Sequence, residues 1–179
     1  MVEKPRISDA VKYSVNESAF QETLHEMYVH PALQQLKAIP QHKGNTTFAH
    51  SVSVAALSYR IATRLHLSIN IDCLVRGAML HDFYLYDTNT MPYSDYRHAI
   101  VHPILAVKNA EKYFDLNSRE RNIILSHMWP IPGTPLPRCK EAWLVCMADK
   151  VCACREMYGK RASHSRNRSR YLCEPRKPL

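Results

Sequence analysis

Glycine is scarce in this sequence, with four residues among 179. A glycine-rich loop that surrounds a phosphate with backbone amides needs several closely spaced glycines, and the chain has no such cluster. It also lacks an alternating apolar pattern of strand length and any internal repeat. These absences argue against a phosphate-loop enzyme, a strand-rich fold and a repeat protein, and they favour an all-α protein.

Long hydrophobic runs are missing as well, because the apolar stretches are short and are broken by charges. None of them could cross a membrane. Residues 1–9 alternate charged and apolar side chains and do not contain the apolar segment of a secretion signal. We therefore expect a cytoplasmic protein with no membrane contact.

No two of the six cysteines have the CxxC spacing of zinc and redox sites. Cys152 and Cys154 are separated by one residue, and Cys146 lies on a helical apolar stripe. Cysteines in a chain without a secretion signal are usually reduced. We expect reduced thiols, with Cys146 packed in the core.

Acidic residues are outnumbered, 16 against 24 lysines and arginines, and the excess lies at one end. Residues 155–179 hold eight basic and two acidic side chains, a net +6 of the chain's +8. Basic segments attract phosphate-rich partners, but no aromatic or RNA-binding pattern accompanies this one. We interpret residues 159–179 as a solvated basic tail, with nucleic-acid binding as the less favoured alternative.

Apolar residues recur at helical spacing over most of the chain, which predicts a compact bundle of about five core helices. Residues 1–44 are interpreted as an N-terminal helical cover interrupted at Pro31, and residues 45–158 as the main domain. Residues 83–97 are too irregular for a helix and would form the rim of a site, while residues 129–137, with four prolines and a glycine, predict a loop. The core helices are expected from Asn45 or Thr46 to about His66, from about Asn70 to His81-Asp82, from His102-Pro103 to Phe114, from Ser118 to His127, and from Arg138 or Cys139 to Met157.

Histidine and aspartate continue several of these apolar stripes. Ala78 and His81 share one helix face, and Asp82 lies four residues after Ala78. A carboxylate in a core must be paired, protonated or bound to a metal. His50 likewise lies on a largely apolar face, and Asp149 continues the stripe of the last helix.

Together, five separate segments supply six nitrogen and oxygen donors at helix ends or on inward faces. Taken alone, each histidine is best explained as a hydrogen-bonded core residue. Taken together, the six donors are enough for two hydrolytic metal ions that share a carboxylate. They are His50, His81, Asp82, His102, His127 and Asp149.

The order H…HD…H…H…D resembles the HD-domain metal-dependent phosphohydrolase superfamily, in particular its subset with two extra histidines and two metals. The resemblance spans about residues 45–157. It is carried by FAHSVSVA at 48–55, GAMLHD at 77–82, HAIVHP at 98–103, IILSH at 123–127 and MADK at 147–150.

The resemblance implies one ion held by four residues and a second held by three, with Asp82 shared between them. The first set would be His50, His81, Asp82 and Asp149, and the second Asp82, His102 and His127. His81 and Asp82 would thus be the catalytic pair. A hydroxide activated by the metal would attack phosphorus in line, so no protein nucleophile is required.

One departure concerns the residues after Asp82. Many relatives continue His-Asp with Ile-Gly-Lys, whose lysine can contact phosphate, whereas this chain continues with the bulky sequence FYLYD. His98 is an alternative to His102 as a ligand, or a hydrogen-bonding residue that orients a ligand without binding the ion. The candidate phosphate contacts are Lys150, Arg97, His98 and Arg155, although solvated charge explains the three cations equally well.

The resemblance implies a hydrolase that cleaves a phosphoester or phosphoanhydride bond in a small, nucleotide-like phosphorylated substrate. Within the superfamily, the pattern is similar to symmetrical dinucleoside-tetraphosphate hydrolases. The expected cofactors are two divalent ions, iron or manganese first, with magnesium, zinc, nickel or cobalt as alternatives.

Two other functions use the same residues differently. Some proteins with this ligand set are mixed-valent di-iron oxygenases, which need dioxygen, so an anaerobic assay with manganese separates them from a hydrolase. A non-catalytic nucleotide- or nucleic-acid-binding module is the third possibility, and it would depend on the basic C-terminal residues.

Overall fold

The computed structural model describes residues 7–41, 44–86 and 94–158, with side chains from Asn16 onward. These residues form seven α-helices and no strand, so the predicted all-α class is confirmed. Within these ranges, no helix combines the length and apolar character needed to traverse a bilayer. The helices are α1 (Ile7–Val29), α2 (Pro31–Gln34), α3 (Thr47–Arg64), α4 (Ile71–Leu80), α5 (Asp95–Ala110), α6 (Ser118–Ser126) and α7 (Lys140–Tyr158).

Polar side chains cap the helices that carry the predicted ligands. The Thr46 hydroxyl accepts a hydrogen bond from the Ala49 amide at the start of α3, and Asn70 caps α4 in the same way. These caps satisfy amides that have no partner inside the helix. Asn117 and Glu120 form a reciprocal capping box at α6. The starts of α3 and α4 therefore agree with the sequence prediction.

The prediction for α5 is wrong at its start. We placed the start at His102-Pro103, whereas the helix begins at Asp95, with Ser94 as its cap, and Pro103 lies inside it. Residues 95–97 are thus helical, while residues 83–86 are irregular as predicted. Pro103 misled the prediction because proline is favoured in the first helical turn and disfavoured within a helix.

Helix α4 is central to the bundle and packs against α1, α3, α6 and α7. Most of its side chains are buried, and Leu74, Met79 and Leu80 are fully so. Gly77 allows α6 to approach closely, since a β-carbon at this position would lie 2.7 Å from two side-chain carbons of Ile123. This packing brings the end of α4, with His81 and Asp82, beside the end of α6, with His127.

The boundaries at residues 44 and 158 stay predictions. In the described part of the N-terminal cover, α1 and α2 flank Pro31 as expected, and Phe20, Met27 and Leu33 are buried in the common core. The basic tail, residues 159–179, lies outside the described residues. All five cysteines in the described part of the chain are free thiols, Cys146 being buried.

Candidate metal centre

Five helices each bring one part of a polar cluster into the core. His50 lies in the first turns of α3, His102 is in the middle of α5 and Asp149 is in α7. The other three predicted ligands lie where α4 and α6 end. They are His81 and Asp82, directly after α4, and His127, directly after α6. All six residues are buried, and Asp149 is the most exposed of them at 8%.

The donor atoms lie within the distances that ligands of a shared ion require. Asp149 Oδ1 is 3.0 Å from His50 Nε2 and 3.7 Å from His81 Nε2. Asp82 Oδ2 is 3.4 Å from His81 Nε2. Two ligands at right angles on an ion, with bonds of about 2.1 Å, would be about 3 Å apart.

The other oxygen of Asp82 faces the second pair of histidines. Asp82 Oδ1 is 3.3 Å from His102 Nε2 and 3.6 Å from His127 Nε2, and these two nitrogens are 2.8 Å apart. The carboxylate of Asp82 therefore lies between two groups of imidazoles, as a bridging ligand would. Triads compatible with an ion are His50-His81-Asp82, His81-His127-Asp149 and Asp82-His102-His127.

One buried nitrogen shows that the residues present fit a cation. His81 Nε2 is fully buried and has no hydrogen-bond partner among the described residues. Its other nitrogen, Nδ1, lies 2.7 Å from the Ala78 carbonyl and donates to it, so Nε2 presents its lone pair to the cluster. An unpaired polar atom in a core is costly, and a metal ion would satisfy it.

Gln41 fixes the orientation of the shared carboxylate. Its carbonyl oxygen accepts hydrogen bonds from the hydroxyls of Tyr84 (2.9 Å) and Thr47 (3.2 Å). Its amide nitrogen consequently points the other way and donates to Asp82 Oδ2 at 3.1 Å. Sequence reasoning missed Gln41 because it lies in a connection whose spacing carries no signal.

The cluster shifts the pKa values of its members in different directions. Burial alone would raise the pKa of Asp82, but the nearby charges of His81 and His102 hold it well below its usual range. Burial alone would lower the pKa of His50, yet Asp149 and Glu156 raise it to about 9. Burial together with the charges of His102 and His81 lowers the pKa of His127 to about 3. With no ion bound, a proton on His50 supplies part of the positive charge that a divalent cation would supply.

The predicted phosphate contacts have different surroundings. Lys150 donates from Nζ to the carbonyls of His127 (2.8 Å) and Cys146 (3.3 Å), so its ammonium holds the backbone at His127, a predicted ligand. Arg97 and Arg155 are exposed. A role for these three cations in phosphate binding stays a prediction.

His98 contacts the side of the His102 ring that faces away from the cluster. Its carbonyl accepts from His102 Nδ1 at 2.9 Å, and the two rings stack with centroids 4.7 Å apart. His98 Nδ1 is 3.0 Å from the Tyr86 hydroxyl, and the Tyr84 ring packs edge-on against both histidines. His102, and not His98, therefore directs its Nε2 into the cluster.

Glu156 is a second residue that sequence reasoning missed. Both of its carboxylate oxygens lie 3.1 Å from His50 Nδ1. It follows Asp149 by seven residues on α7, and this spacing of two turns on one face could have identified it.

The HD domain family model matches residues 47–154. The chain belongs to the HD domain family. Neither a curated protein nor a solved structure matches it significantly. HD domains form a family of metal-dependent phosphohydrolases, and the His/Asp clusters of this chain are compatible with an HD metal site.

Proposed function

We propose that this HD-domain protein uses two divalent ions to hydrolyse a phosphoester or phosphoanhydride bond in a small, nucleotide-like substrate. The observation that carries the proposal is the convergence of six buried donors from five helices around Asp82, with His81 Nε2 unpaired among the described residues. One ion would be held by His50, His81, Asp82 and Asp149, and the other by Asp82, His102 and His127.

Divalent ions in this position supply an activated water and neutralise charge on the phosphate. The chain's own residues hold the donors in place. Gln41 keeps Asp82 Oδ2 turned towards His81, which leaves Oδ1 for His102 and His127. Tyr84, which is 3% exposed, covers the His102 ring and keeps bulk water away from this side of the cluster. Bound at the cluster, the two ions would supply positive charge for phosphate recognition.

The test is metal analysis and hydrolysis by one preparation of the full chain. After chelation and dialysis, we expect no turnover of a panel of phosphorylated metabolites that includes diadenosine tetraphosphate. Mn²⁺ added without dioxygen should restore it, which also separates hydrolysis from an oxygenase reaction. Asp82→Ala should lose at least about 100-fold in rate, because the ions that stabilise transition-state charge would lose their shared ligand.

His25→Ala is the matched control, since His25 is exposed on α1 and distant in sequence from every predicted ligand. It should keep its metal content and its rate. Hydrolysis that persists after chelation, or in Asp82→Ala, would contradict the proposed chemistry. Binding of nucleotides without any turnover under all metal conditions would favour the non-catalytic alternative.

A further inference from the structure

The four imidazoles of the cluster differ in the group that faces Nδ1, the ring nitrogen that points away from the cluster. Three of them donate from Nδ1 to a backbone carbonyl one turn earlier in their own helix, which directs Nε2 towards the cluster. His50 differs, because its Nδ1 faces the carboxylate of Glu156, on another helix. The three backbone pairs are His81 with Ala78 (2.7 Å), His102 with His98 (2.9 Å) and His127 with Ile124 (2.6 Å).

Glu156 is held in place for this contact. Its Oε1 also accepts a hydrogen bond from the Asn45 side chain at 2.9 Å, just before α3. The Asn45 Oδ1 in turn accepts from the Thr46 amide at 3.0 Å, which fixes the orientation of the amide group. The Glu156 side chain is 15% exposed and the His50 ring is fully buried, so water screens the pair only weakly.

A carboxylate affects a metal-binding imidazole more strongly than a carbonyl does. Both acceptors keep the proton on Nδ1 and leave the Nε2 lone pair for an ion. A charged acceptor makes the stronger hydrogen bond and raises the basicity of the ring, which strengthens the bond to the metal. His50 is assigned to one of the two ions. The stronger metal bond that Glu156 promotes should therefore affect that ion and not the other.

We propose that Glu156 is a positioning residue that makes the ion held by His50 and Asp149 the tighter bound of the two. The inference rests on the metal centre under Proposed function. It adds an asymmetry: one ion is bound more tightly, and the ion held by His102 and His127 exchanges more readily. Glu156 itself does not touch the reacting atoms.

The test is Mn²⁺ titration of the chelator-stripped full chain by calorimetry. Glu156→Gln gives His50 a neutral acceptor like those of the other three histidines. It should weaken the tighter Mn²⁺ by about 10- to 100-fold, the usual effect of removing such a partner, and leave the weaker one nearly unchanged. Glu26→Gln on the exposed face of α1 removes the same charge far from the cluster and should bind Mn²⁺ like the wild type.

The outcomes separate the two proposals. If Glu156→Gln and the wild type bind both ions equally, Glu156 has no positioning role, while the metal centre stands. Equal weakening of both ions would contradict the asymmetry. Absence of Mn²⁺ binding by the wild type would overturn the inference and the proposed function together. If circular dichroism shows that Glu156→Gln does not fold, Asn45→Ala, which removes one hydrogen bond to Glu156, should still weaken the tighter ion selectively.

Discussion

Replacing Gly77 by alanine tests the close contact that aligns the two histidine-bearing helix ends. A β-carbon there would lie 2.7 Å from Cδ1 and Cγ2 of Ile123 and 2.9 Å from its Cβ. Ile123 is fully buried in the core, so it has little room to move away. Overpacking of a core costs about 1–3 kcal/mol, whereas glycine to alanine inside a helix is otherwise stabilising by about 1 kcal/mol.

The two effects have opposite signs, and we expect the clash to prevail. Gly77→Ala should lose up to about 2 kcal/mol of unfolding free energy, measured by urea denaturation of the metal-free protein. Separation of α4 from α6 should also weaken Mn²⁺ binding, because the rings of His81 and His127 lie in contact with centroids 4.9 Å apart.

Ile123→Ala provides the internal control. This change alone should cost about 2–5 kcal/mol, but the double variant should be at least about 1 kcal/mol more stable than the sum of the single effects, as expected for residues in contact. A Gly77→Ala protein that is more stable than the wild type, or strict additivity in the cycle, would refute the packing argument.

Three further variants test other parts of the fold. Glu141 accepts hydrogen bonds from the Asn70 amide and Arg119, which hold its pKa below the usual value although burial alone would raise it. The ionised Glu141 contributes fully to the free energy of unfolding above its unfolded pKa of about 4.3, and this contribution is lost as the pH falls through the lower folded pKa. The difference in stability between the wild type and Glu141→Gln should therefore narrow in acid. A difference that widens below about pH 4 would contradict this. Asn117→Ala removes the capping box of α6 and should cost about 1 kcal/mol in urea denaturation, and an unchanged midpoint would mean that the cap is dispensable. Lys150→Met should lower the melting temperature because it leaves the His127 carbonyl without its donor, whereas a raised KM at unchanged stability would instead support phosphate binding.

Helix boundaries could be predicted where local chemistry determines them. Thr46 and Asn70 cap α3 and α4 because a side-chain oxygen satisfies free amides within the same few residues. The start of α5 also has a local cap, Ser94, but Pro103 inside the helix led to the prediction of a later start. Propensity is a weak guide wherever packing decides.

In the cluster, too, some residues could be predicted from the local sequence and others could not. His81 and Asp82 stand out in the sequence because charged groups replace core residues on an apolar stripe. Glu156 and Gln41 do not stand out, since each acts through a contact with a residue that is distant in sequence, 106 positions for Glu156 with His50 and 41 for Gln41 with Asp82. Their roles follow from tertiary structure, which spacing along one chain segment does not encode.

The positions of His81 and His127 at the carboxyl ends of α4 and α6 have an electrostatic consequence. A helix carries about half a negative charge at this end, so two helix dipoles direct their negative poles at the cluster, beside the carboxylates of Asp82 and Asp149. Without cations, this region repels anions. Under the proposed function, a phosphorylated molecule should therefore bind only after metal ions have reversed the sign of the local potential, which would make metal loading the first step.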